Sequence, residues 1–194
     1  MVSVADEFKG NNNFEYDLVD IVRQAIAEKG RLTEKVVEAA FAAGDKKLYK
    51  DASDRFLRLI LLQDELLATR PEFKVGTWIA RARSLGDTPE EKELYEWNAR
   101  VQITTWGNRL AADEGGLRDY AHREWNGILK DFYYMRWKTW FDYQTRLLDG
   151  RKTAAIDFYA IEERWTKATN VYSSEPEGDC SSTVKRICVE IFGK

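Results

Sequence analysis

Only two cysteines, three prolines and one histidine occur among the 194 residues of this chain. With Cys180 and Cys188 as its only thiols and His122 as its only imidazole, it has no Cys-x-x-Cys pair, which argues against a metal site, and no feature calls for a cofactor. If both cysteines lie on the last helix, eight residues apart, a rise of ~1.5 Å per residue separates their Cα atoms by ~12 Å. A disulfide needs less than ~7 Å, so two free thiols are expected, with Cys188 in the core. No segment approaches the ~20 apolar residues that span a bilayer. The opening MVSVADEFKGNNNFEYD lacks the apolar stretch of a signal peptide. A net charge of -3 gives no electrostatic reason to expect nucleic acid or an anionic membrane as partner.

Helix-compatible and aromatic residues are abundant. Hydrophobic residues make up 44% and charged residues 32%, which suits one well-filled globular domain. Asn11–Asn13 can cap a first helix in which Leu18, Val22, Ala25, Leu32, Val36 and Ala40 keep a 3.6-residue phase. That phase survives Gly30, so one long helix to Ala43 is expected. A second helix, Lys46–Thr69, would bury Leu48, Ala52, Phe56, Leu59, Leu62 and Leu66 and stop before Pro71. A short third covers Gly76–Ser84. Thr88-Pro89-Glu90-Glu91 is a capping box with proline at the first helical position. It starts a fourth helix to Trp106, with Leu94, Trp97, Asn98, Val101 and Thr105 on one face.

A loop is expected over Gly107–Gly116, then a long aromatic helix from Leu117 or Arg118 to Leu148. Helices over Ala155–Thr169 and Ser182–Phe192 complete an all-α bundle of about seven helices. On the long helix the apolar arc exceeds the third to half of the circumference usual at a surface. Either it is central to the bundle, or its second side (Tyr134, Trp137, Phe141, Leu148) packs on something else, leaving an exposed apolar patch.

The segments YDLVDIVRQ (Tyr16–Gln24), YEWNARVQITTWG (Tyr95–Gly107) and LRDYAHREWNGILKDFYYMRWKTWF (Leu117–Phe141) occur in this order. Together they resemble the C-terminal helical domain of the α-N-acetylglucosaminidases, glycoside hydrolase family 89. The resemblance runs from Tyr16 to Phe192, making residues 16–194 that domain and 1–15 an extension left from a preceding one. It departs in two places: Met135 stands where vertebrate members tend to have proline, and the loop after Gly107 is longer.

The resemblance implies an exo-acting, retaining glycosidase that removes terminal α-linked N-acetylglucosamine. Its catalytic carboxylates would lie on a preceding (β/α)₈ barrel, the expected partner of this bundle. This chain alone is expected to be inactive, with no catalytic residue of its own. An exported protein, periplasmic, extracellular or lysosomal, is implied. The start at Met1-Val2-Ser3, directly before family-like sequence, suggests a fragment boundary.

By the same resemblance the helical domain lends side chains to the sugar pocket, at the end of YEWNARVQITTWG and the start of LRDYA. Trp106 could stack on a pyranose or be an ordinary core indole. Tyr120 offers a hydroxyl. Asp119 is a third pocket-wall candidate, or simply a charge favouring a helix N-terminus. Arg100 and Arg136 sit beside aromatics and are expected in buried ion pairs. Glu162 and Glu163, adjacent on a helix, diverge and form no catalytic pair. His122 is expected on a helix surface. A stand-alone helical binding module, of a different functional class, is the competing reading.

Overall fold

In the computed structural model, which describes residues 1–193, the chain is all-helical. The α-helices are α1 (Asn12–Ala43), α2 (Lys46–Ala68), α3 (Val75–Arg83), α4 (Pro89–Gln102), α5 (Arg109–Asp113), α6 (Tyr134–Leu148), α7 (Phe158–Thr166) and α8 (Cys180–Phe192). None is long and apolar enough to cross a membrane.

α1 runs unbroken through Gly30, as its phase requires, and Gly44 ends it in the left-handed conformation at φ 69°. Its buried line differs in part from the expected one. Leu32 and Val36 are exposed; Leu18, Val22 and Ala40 face inward as expected, and the line that reaches Ala40 runs through Val19, Ile26, Thr33 and Ala40. These four recur every seven residues, the 3.5-residue period of helices that wrap around each other, and α1 packs along α2 as an antiparallel hairpin. Thr33 meets the core without an orphaned hydroxyl, because Oγ1 donates to the Lys29 carbonyl at 2.8 Å. At the start of α2, Tyr49 takes the inward place expected for Leu48. Its hydroxyl lies 2.9 Å from Gln144 Oε1 on α6.

The bundle has three apolar clusters. One joins α1, α2 and α8 through Leu18, Val22, Leu62, Leu66, Val184 and Ile187. A second, at the far end of the α1–α2 hairpin, sets Phe56 and Tyr49 against Phe141 and Trp137. The third lies under α3 and α7 and holds Val75, Ile103, Ile128, Phe132 and Trp165. The first residues join the body: Ala5 is buried against the first cluster, and Asp6 accepts from Ser181 Oγ of α8 at 2.8 Å. Cys180 and Cys188 are free and buried, and burial pushes the Cys180 thiol up to about 11.

The aromatic helix begins about ten residues later than expected. Asn126 pairs as an isolated parallel bridge with Lys74, and Gly127 stands at φ 91°. A wider π-type turn, Leu129–Tyr133, then leads into α6. Residues 117–126 instead form an irregular strap, so neither Asp119 nor His122 lies on a helix. Within α6 only Phe141 is fully buried, and its main neighbour is α2; the element at the middle of the bundle is α2. The expected loop after Gly107 contains a helix, α5, capped by Asn108 Oδ1 on the Ala111 amide at 3.0 Å. The apolar line expected on α4 is also displaced. Leu94 and Trp97 are exposed, while Ala99 and Arg100 point inward beside Val101 and Thr105, which are buried as expected.

Candidate functional site

α4 ends at Gln102, and the chain turns out of the bundle through the buried Ile103, Thr104 and Thr105. Trp106 follows in the left-handed conformation at φ 61°, its N–H donating to the Val101 carbonyl at 2.8 Å. Thirteen residues on, Asp119 is left-handed at φ 55°, and its N–H donates to the Thr104 carbonyl at 2.7 Å. Non-glycine residues in this region cost about 1–2 kcal/mol each and persist only where their surroundings fix them. Here the backbone bond from Asp119 to Thr104 ties the strap to the end of α4. It thereby brings Tyr120 beside Trp106, with ring centroids 5.8 Å apart and planes at 58°.

The two rings are open to solvent, Trp106 at 43% and Tyr120 at 70% exposure. That exposure removes the ordinary-core reading of Trp106. A half-exposed indole beside an exposed phenol is an amphipathic face, apolar in its body with polar tips.

Asp119 turns the other way. Its carboxylate accepts from Arg136 Nη1 at 2.9 Å and from the Tyr133 hydroxyl. Desolvation, together with the negative charge of Asp119, pushes the Tyr133 phenol far up. It is not a charge at a helix N-terminus. A cavity of about 510 Å³ opens beside it, lined by Asp119, His122, Tyr133, Arg136, Trp137, Trp140 and Phe158.

Arg136 also reaches Glu162 of α7, with Nε 3.2 Å from Oε1, while Arg118 Nε stands 3.2 Å from Oε2. The Glu162 side chain is 0% exposed, yet neither oxygen receives a well-directed hydrogen bond. Burial pushes its carboxyl above the ordinary range, opposed by the two guanidiniums. Glu162 and Asp119 therefore share one arginine, but Glu162 has no route to a ligand and acts as a held charge. Beyond Arg118 the chain of charges continues through Asp113 and Arg109 to Asp157. Arg109 Nη2 is 2.8 Å from Asp157, which caps α7. Among the described residues no group of three or more His, Cys, Asp or Glu side chains is placed to hold a metal.

Arg100 is wholly buried. It donates to Glu96 at 2.7 Å and to the Asn170 carbonyl at 2.8 Å, and lies over the Trp165 ring at 5.0 Å. Like Arg136, it serves internal ion pairing.

Residues 1–190 match the family described as the alpha-N-acetylglucosaminidase (NAGLU) C-terminal domain. The chain belongs to that family. The human alpha-N-acetylglucosaminidase is 28% identical over 189 residues, 92% of this chain and 24% of that protein. Among solved structures, CpGH89 from Clostridium perfringens in complex with its substrate GlcNAc-alpha-1,4-galactose is 38% identical. It superposes with a TM-score of 0.92 over 97% of this chain and 22% of its own. The family 89 glycoside hydrolase of the same organism, in complex with 2-acetamido-1,2-dideoxynojirmycin, gives a TM-score of 0.93 at 37% identity, over 98% of this chain and 22% of its own. This C-terminal domain thus spans about a quarter of the length of the relatives it matches.

Glu162, read from the sequence only as half of a diverging pair with Glu163, is the buried one of the two. Its signal lay on α7, where Glu162 falls three residues after Tyr159 and three before Trp165, an acidic residue in a buried apolar line.

Proposed function

We propose that this chain is the helical lobe of an exo-acting, retaining α-N-acetylglucosaminidase, packed on a (β/α)₈ barrel that carries the chemistry. Trp106 and Tyr120 form one wall of a pocket for terminal α-linked N-acetylglucosamine, and Asp119 positions that wall from behind. The observation that carries this reading is the exposed Trp106–Tyr120 pair, where the Asp119–Thr104 bond joins two chain segments. An indole and a phenol so arranged suit the mixed apolar and hydroxyl surface of a pyranose. The resemblance to a hydrolase solved with a GlcNAc-α-1,4-galactose substrate supports the choice of sugar.

Retaining hydrolysis needs two carboxyl groups ~5–5.5 Å apart, facing one bond. Asp119 and Glu162 do not meet that need, since both are bound to Arg136 and Glu162 is sealed. The nucleophile and acid then belong to the partner domain. Export to the periplasm, the cell exterior or the lysosome accords with such an enzyme.

The test is turnover of a chromogenic α-N-acetylglucosaminide by residues 1–194 alone and by the full-length polypeptide that contains them. Hydrolysis by the full-length protein only is the expected result. Robust hydrolysis by the isolated chain would overturn the assignment of the chemistry to a partner.

A further inference from the structure

Glu162 lies on α7, remote in sequence from both of its arginines and closed to solvent. Its two oxygens divide between Arg118, at the start of the strap, and Arg136, on α6. A buried ion pair without well-directed hydrogen bonds is a weak stabiliser, because the desolvation of the charges offsets their attraction. What the arrangement does fix is geometry. Arg118 immediately precedes Asp119, and Arg136 holds the Asp119 carboxylate at 2.9 Å, so Glu162 reaches the same short piece of backbone by two routes. That piece carries Tyr120 against Trp106 and is left-handed at Asp119 and again at His122.

We propose that Glu162 is a positioning residue for the sugar-facing wall: by clamping Arg118 and Arg136 it fixes the backbone that sets Tyr120 against Trp106. The proposal rests on the reading of Trp106 and Tyr120 as that wall. Glu162 itself never touches the sugar. Its loss loosens the wall, weakening the binding of substrate and transition state alike while the bond-breaking groups remain untouched.

The test is steady-state kinetics of the full-length enzyme with a chromogenic α-N-acetylglucosaminide. Glu162→Gln keeps the side-chain shape and removes the charge. Each arginine retains a second carboxylate, Asp113 for Arg118 and Asp119 for Arg136, so the fold is expected to survive. KM should rise roughly tenfold while kcat stays within about threefold, the signature of lost uniform binding. A merely structural role gives no coupling to the wall, so the double variant with Trp106→Ala separates the cases. If Glu162 acts through the wall, the double variant is no worse than the worse single by more than about twofold; independent effects multiply.

A wild-type KM for Glu162→Gln, or a multiplicative double variant, overturns the positioning role. Wild-type KM in Trp106→Ala removes the wall reading itself. An impaired Trp106→Ala beside an unimpaired Glu162→Gln removes only the role given to Glu162. Should Glu162→Gln not fold, Arg136→Lys, which keeps the charge and loses the two-sided fork, carries the same expectation and the same contrary outcome.

Discussion

Asp64 of α2 caps a helix that begins 63 residues later: its Oδ1 accepts from the Gly127 N–H at 2.6 Å and from the Lys130 N–H at 3.1 Å. Oδ2 accepts from Asn126 Nδ2 at 2.8 Å. One carboxylate thus satisfies the orphan amides of the π-type turn and fixes where the aromatic helix starts.

Asp64→Ala is expected to cost about 2–3 kcal/mol, a lost cap plus buried amides left without acceptors. Urea denaturation measures the loss, and hydrogen exchange at Gly127–Lys130 should quicken more than elsewhere. Unchanged protection there would contradict the capping role.

The late start of that helix shows what could be read along the chain and what could not. The α1–α2 hairpin, the capping box at Thr88–Glu91 and the free cysteines were legible because their causes are local: periodicity, caps and spacing. The strap at 117–126 was not, because an uninterrupted apolar pattern reads as helix. Asp64 and the backbone of Phe73 and Val75, distant in sequence, pull Asn126 and Gly127 out of it. On α1 the inward line follows the seven-residue seam of a wrapped pair, so a search at 3.6 residues finds Leu18, Val22 and Ala40 but falls one position off at Leu32 and Val36. Trp106, Tyr120 and Asp119 were named from the resemblance. The left-handed backbone that joins them depends on long-range bonds, as does the burial of Glu162 between two arginines.

Two glycines should respond in opposite directions. Gly30 lies inside α1 with only Phe56 Cε2 at 3.9 Å from an added Cβ, so Gly30→Ala should stabilise by about 0.5–1 kcal/mol. At Gly76 an added Cβ would stand 2.2 Å from the Ser173 carbonyl oxygen, a backbone atom. Gly76→Ala should therefore destabilise by at least about 2 kcal/mol, through overpacking against the Tyr172–Ser173 backbone. Thermal melts of the two variants check both signs.

Arg100 pairs with Glu96 within α4 and ties that helix to α7 and the chain beyond it through the Trp165 and Asn170 carbonyls. Arg100→Leu leaves Glu96 with Arg83 alone and takes a donor from the Trp165 and Asn170 carbonyls, and is expected to cost about 1.5–3 kcal/mol. A urea midpoint equal to that of the parent protein would show that the pair contributes nothing.

Acid should act on two exposed caps. Hydrogen bonds from Arg109, then from the Ala160 amide, lower Asp157 to about 2. Lys9, then the Ser182 amide, lower Asp179 to about 2. Since the folded values lie below the ordinary 3.8, the stability they confer is present above 3.8 and is lost as pH falls through about 2. Burial raises Asp64 instead, so its contribution has the opposite sign and weakens as pH rises above the ordinary value. Carboxyl titration by NMR should find the two caps near 2, and Arg109→Gln should raise Asp157 while leaving Asp179 in place. An unmoved Asp157 would contradict the assigned cause.

The decisive measurement is Trp106→Ala in the full-length protein, followed by both kinetics and thermal unfolding. Because the indole is 43% exposed, the melting temperature should change by no more than about 2 °C. KM for an α-N-acetylglucosaminide should rise about tenfold or more. A protein that melts much earlier yet binds substrate as before would return Trp106 to a packing role and leave the wall without its central residue.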